Sequence, residues 1–95
     1  MTFEEIVNRF KENNKLQETF HNTYINAYTF NYSYKYKNNT QYMLFVIMEN
    51  EGKWQVLQTS FKKEFWKNFQ TLEELQEIYE KFMEFAKRNR GLVLN

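Results

Sequence analysis

Residues 24–36 constrain this chain more than any other stretch. Tyr24, Tyr28, Phe30, Tyr32, Tyr34 and Tyr36 fill every even position except that of Asn26, and Ile25, Ala27, Thr29, Asn31, Ser33 and Lys35 fill the odd ones. Successive side chains of an extended strand point to opposite faces. A strand here carries an aromatic ribbon on one face and a small, mostly polar surface on the other. A helix would spiral the same rings around its axis. Extended over its whole length, the segment spans about 43 Å, well beyond an ordinary strand. That length predicts a bulge, a strong twist or an overhanging end.

The flanking sequence supplies the other elements. Thr2 and Glu5 fit a capping box, and Phe3, Ile6, Val7 and Phe10 follow at helical spacing. A first helix therefore starts at Phe3 and ends at Asn13 and Asn14, a residue type that tolerates the left-handed conformation. After the ribbon, Asn38, Asn39 and Thr40 make a turn. The run from Tyr42 to Met48 is apolar on both faces, the pattern of a central strand covered on two sides. Glu49 to Lys53 form a second hairpin turn, with Gly52 where positive φ is needed, and a third strand runs from Trp54 to Thr59. Phe61, Phe65 and Phe69, with Trp66 beside them, predict a short helix over 61–69. Thr71 and Glu74 repeat the capping box. A last helix then carries Leu72, Leu75, Ile78, Tyr79, Phe82, Phe85 and Ala86 as a wide apolar stripe. Its early Glu73, Glu74 and Glu77 and late Lys87, Arg88 and Arg90 suit the helix dipole, and Gly91 is the stop signal. Leu92, Val93 and Leu94 form an apolar tail, either docked back on the core or offered to a partner. The expected class is α+β, in the order αβββαα. A three-stranded antiparallel meander sheet carries an N-terminal helix and two C-terminal helices on one face, as a single domain over residues 1–95.

Composition narrows the chemistry. Ten Phe, seven Tyr and two Trp furnish a core, and with no Cys neither a disulfide nor a thiolate metal site can form. No apolar run is long enough to span a bilayer, and the N-terminus lacks a basic region followed by an apolar one, so a cytoplasmic, non-membrane protein is expected. His21 is the one histidine and falls in a polar connection. Ser33 and Ser60 have no nucleophile-elbow glycines around them, and Gly52 and Gly91 cannot make a phosphate loop. The expectation is a non-enzymatic protein with no cofactor and no metal.

Binding is the remaining class. The ribbon can pack beneath the helices as core. Yet a buried phenol needs a hydrogen-bond partner and Phe does not, so several hydroxyls are expected to reach water. Tyr34 and Tyr36, next to Lys35, Lys37 and the turn, are the residues expected to be exposed. With Tyr42 near the same turn and Trp54 near the second, they make a candidate protein-binding surface, and an open aromatic face also admits a homodimer. A second candidate is Lys62, Lys63 and Lys67, grouped at the start of the expected short helix, where lysines and free amides can hold phosphate.

Those lysines, after one helix and three strands, resemble the double-stranded-RNA-binding domain. The resemblance implies that Lys62, Lys63 and Lys67 contact phosphates across a groove. In size and layout the chain also resembles small phage proteins that block bacterial defence, including anti-CRISPR proteins. Its wealth of Phe, Tyr, Asn, Lys, Ile and Met, residues with AT-rich codons, suits a low-GC bacterium or its phages. That resemblance implies an inhibitor that docks on a host protein or ribonucleoprotein, such as a CRISPR nuclease complex. The nucleic-acid-binding module is the alternative.

Overall fold

The computed structural model describes residues 1–60, 63–87 and 93–94. Helix α1 (Phe3–Asn14) is followed by strands β1 (Phe20–Asn22), β2 (Ala27–Tyr36), β3 (Asn39–Asn50), β4 (Lys53–Ser60) and β5 (Lys63–Asn68), then by helix α2 (Leu72–Lys87) and strand β6 (Val93–Leu94). All strand pairs are antiparallel. The strands form one six-stranded sheet in the order β1-β2-β3-β4-β5, with β6 pairing to β2 off that path. The expected three-stranded sheet with two C-terminal helices is thus wrong. Two strands were missed at the sheet's edges, a third lies in the C-terminal tail, and among the described residues α2 is the only helix after β5.

Both edge errors have local causes. The aromatic segment is not extended from Tyr24. Asn22 Oδ1 accepts hydrogen bonds from the Tyr24 and Ile25 amides at 3.0 and 3.3 Å, and Asn26 adopts a left-handed φ of 48°. These two asparagines turn the chain, so β1 folds back on β2 with His21 opposite Tyr28. Tyr24 is left at the tip of this hairpin, 96% exposed. At residues 61–69 the Phe spacing of four suggested a helix. Instead Lys63, Phe65 and Lys67 alternate with Glu64, Trp66 and Asn68 along a strand, and Ser60 pairs with Lys63. Phe and Trp favour a pleated surface, so the same residues that read as a helix by spacing also suit a strand. Phe61, Lys62, Arg88, Arg90, Gly91 and Leu92 lie outside the described residues.

The two central hairpins are tighter than expected. Tyr36 pairs with Asn39 across Lys37 and Asn38, both at positive φ, and Asn50 pairs with Lys53 across Glu51 and Gly52, also both positive. Such two-residue turns match the twist of the strands they join. The capping box at α1 is present: the Glu5 amide donates to Thr2 Oγ1 and the Thr2 amide donates to Glu5 Oε1. The left-handed cap is Lys15, one residue past the expected pair. Asn14 does other work, donating to the Phe10 carbonyl and exchanging hydrogen bonds with the Gln76 amide, so it ties α1 to α2.

Both helices cover the same face of the sheet. The even-numbered residues of β2 from Tyr28 to Tyr34 point to them, joined by Met43, Phe45 and Ile47 of β3 and Val56 of β4. Phe10 of α1 is the hub: it packs on Phe30 and Phe45 below and edge-on against Tyr79 of α2. From Tyr28 to Tyr34 the ribbon is therefore core, and the phenols are accommodated within it. Tyr32 and Tyr79 bond hydroxyl to hydroxyl at 2.8 Å, both buried. Tyr28 stacks on His21 with ring centroids 3.9 Å apart and lies 5.3 Å beneath Lys11 Nζ. Of the tail, Leu94 packs against this core.

Candidate docking face

With both helices on one side, no element among the described residues forms a second layer on the other side of the sheet. An antiparallel sheet normally carries polar side chains there. Register shows what this one carries. Phe20, Thr29, Val46, Leu57 and Trp66 are successive cross-strand partners and form one row across all of β1 to β5. Alternation puts Leu44, Met48 and Tyr42 on the same face, and Val93 of β6 beside Ser33. Phe20, Tyr42, Trp66 and Val93 are exposed, and Leu44, Met48 and Leu57 are half-buried. Val46 is only 6% exposed although no helix covers it, because its neighbours in the row and along β3 close around it.

Charge is confined to the margin. Among the described residues of these strands, the open face bears Lys35 at one end of β2, Lys53 at the opposite end of β4 and Glu64 on the edge strand. Its interior polar groups are neutral and mostly engaged: Thr59 Oγ1 accepts from the Leu44 amide at 3.2 Å, and Gln55 donates to Asn68 at 3.0 Å. Asn31 Oδ1 is buried there without a hydrogen-bond partner. Phe20, Tyr42 and Trp66, each about half exposed or more, offer on the order of 100 Å² of aromatic surface apiece. Large apolar side chains exposed together on one face mark interaction surfaces.

The expected interface residues do not come together. Tyr34 is 4% exposed, inside the core cluster that β2 shares with both helices, so the expectation that it reaches water is overturned. Tyr36 is exposed, on the helix side of the sheet beyond the helices, with Lys37 Nζ 5.4 Å from its ring. Trp54 is half-buried at the core's edge, tilted against Phe3 and Phe69, and its indole N–H donates to Glu49 at 3.0 Å. Tyr42 alone of the four belongs to the open face. Phe20, Leu44, Met48, Leu57 and Trp66 were not anticipated. For Leu44 and Met48 the signal was the two-sided apolarity of residues 42–48, which reads as cover on both faces; Phe20, Leu57 and Trp66 had no such signal.

The lysine group is also rearranged. Lys63 and Lys67 stand on an exposed strand with Phe65 between them, and Lys62 is outside the described residues. For Lys63 and Lys67, the helix start that the RNA-binding resemblance implied is a strand in this fold. His21 is engaged by Tyr28 and by Asn26 Oδ1, 3.3 Å from Nε2. Burial works against the charge of nearby Glu18, but hydrogen bonds from Lys11 Nζ, 2.8 Å away, and from the backbone hold its carboxyl below the usual range. Among the described residues no three His, Cys, Asp or Glu side chains cluster as metal ligands, and no helix is long and apolar enough to cross a membrane. No protein family, characterised protein or solved structure matches the chain.

Proposed function

We propose that this chain is a non-enzymatic protein-binding module that captures another protein on the open face of its sheet. The reading is carried by one observation: a bare, nearly uncharged apolar face that spans five strands, with Phe20 and Trp66 at its two ends. The partner it fits is a folded protein with an apolar, charge-poor patch of similar area. A charged surface such as nucleic acid would meet no counter-charge in the centre of this face. The role of inhibitor of a host defence protein, such as a nuclease complex, is part of the proposal. It rests on the likeness in size to small phage inhibitors, since the layout once shared with them is not that of this fold.

The test compares the wild-type chain with Leu57→Glu and Tyr42→Glu on one face and Lys63→Glu/Lys67→Glu on the other. Proteins retained from a lysate of a low-GC bacterium are identified by mass spectrometry, and the purified partner is then titrated against each variant. Binding lost at least a hundredfold in Leu57→Glu and Tyr42→Glu, and kept in the lysine variant, supports the reading. Binding that survives Leu57→Glu sinks it. Light scattering of the isolated chain tests the rival occupant: a dimer that Leu57→Glu dissociates would assign the face to a second copy. Inhibition is measured separately, as loss of the partner's nuclease activity on adding the chain.

A further inference from the structure

The helix side of the sheet has a second feature, independent of the docking face. α2 lies over β2 and β3, with Phe82 against Tyr32 and Phe45, and β5 projects beyond it. Between β5 and α2 runs an open groove of about 440 Å³, within the range that holds a small organic ligand. Phe65 on β5 and Phe85 on α2, 50% and 46% exposed, form its walls, and Phe82 lies in its floor.

Two polar groups mark the groove. Ser60, at the end of β4, lines it, is 8% exposed, and its Oγ has no hydrogen-bond partner. A buried hydroxyl without a partner is uncommon and costs stability. Around the rim, Lys81 is paired with Glu77 at 3.3 Å, and Glu74 is engaged by Thr71 and the Gln70 amide. Lys67 makes no ion pair among the described residues, which leaves a cation as the unengaged rim charge. Ser60 is paired with Lys63, four residues along β5 from Lys67, so the two polar groups stand about 13 Å apart by strand geometry. Phe65 lies midway, beside its cross-strand partner Gln58, which also lines the groove.

We infer that this groove binds an elongated amphipathic carboxylate. The carboxylate meets Lys67, the apolar body lies along Phe65, Phe82 and Phe85, and a neutral hydrogen-bonding group at the far end satisfies the Ser60 hydroxyl. The probes are 12-hydroxydodecanoate, dodecanoate and dodecyltrimethylammonium, each below its micelle concentration. They are titrated into the full chain by calorimetry and by amide chemical shifts. The hydroxy acid binds with shifts at Phe65, Lys67 and Ile78, and the cationic probe binds at least tenfold more weakly. Lys67→Glu inverts the order of anion and cation, and Ser60→Ala removes the preference of the hydroxy acid over dodecanoate. Both substitutions are checked for unchanged circular dichroism, and Ser60→Gly repeats the second if Ser60→Ala disturbs the fold. An unchanged order in Lys67→Glu, or shifts confined to Leu44 and Leu57 on the opposite face, overturns the assignment. Leu57→Glu, which disables the docking face, leaves groove binding intact, so the two proposals fail separately.

Discussion

The Tyr32–Tyr79 contact makes a quantitative prediction about how this core holds its tyrosines. Tyr32 is 3% and Tyr79 7% exposed, and their oxygens are 2.8 Å apart. Tyr79→Phe removes one hydroxyl and strands the other where water cannot reach it. The loss is about 1–3 kcal/mol, because the bond goes and the remaining group stays desolvated. Tyr32→Phe should cost a similar amount for the same reason. The double variant removes both hydroxyls and keeps the ring contacts with Phe82, Phe45 and Phe10, so its cost falls to roughly 0–1 kcal/mol. The singles therefore sum to well above the double, with a coupling of at least about 1 kcal/mol. In a domain of this size a 2 kcal/mol loss lowers the melting temperature by roughly 8–16 °C, so each single variant melts clearly below the double. Reversible urea unfolding followed by circular dichroism measures all four corners of the cycle. Additive losses, with the double variant the least stable, would refute the claim that the hydroxyls depend on each other.

The remaining predictions concern pH and the hub of the core. Burial raises the phenol pKa of Tyr28, Tyr32, Tyr34 and Tyr79 above the ordinary 10.0. A phenol is neutral in both states below that value, and above it the unfolded chain loses protons first. Their contribution to stability is thus full below pH 10 and declines as pH rises further, and urea midpoints between pH 9 and 11.5 should fall less steeply in the Tyr32→Phe/Tyr79→Phe variant than in the wild type. Phe10→Ala empties a fully buried site between two strands and α2. It should cost about 3–5 kcal/mol, a large part of the roughly 5–14 kcal/mol expected for a chain of this length. A calorimetric loss under 1 kcal/mol, outside the range for such a truncation, would show that Phe10 is not the hub.

Much of the frame was legible because it is written locally. The capping box at Thr2 and the apolar positions of α1 suffice for the first helix. Thr71 likewise caps α2 by accepting from the Glu74 amide at 3.1 Å. Asn38 and Gly52 mark turns that join β2, β3 and β4. What escaped was written weakly or non-locally. Asn26 breaks the aromatic alternation and was the visible trace of the β1 hairpin, but three residues from Phe20 to Asn22 make no pattern by themselves. The β5 residues read equally as helix by the Phe spacing and as strand by alternation, and pairing with β4 decides between them. The candidate site was the least legible. Tyrosine's need for hydroxyl partners pointed outward, whereas Tyr79, placed by a helix far along the chain, meets Tyr32 inside. Leu44 and Leu57 were readable as buried, and only the full arrangement leaves their side of the sheet bare.

The pairing of β6 with β2 sets an order of events during synthesis. Tyr32 and Ser33 meet Leu94 and Val93, residues made about sixty positions later. While the chain emerges from the ribosome, that stretch of β2 offers unpaired amides and carbonyls, and β1 shields only Ala27 to Thr29. Because such pairing over long sequence separation is slow, the nascent protein passes through an interval in which a foreign strand can occupy the place of its own last one.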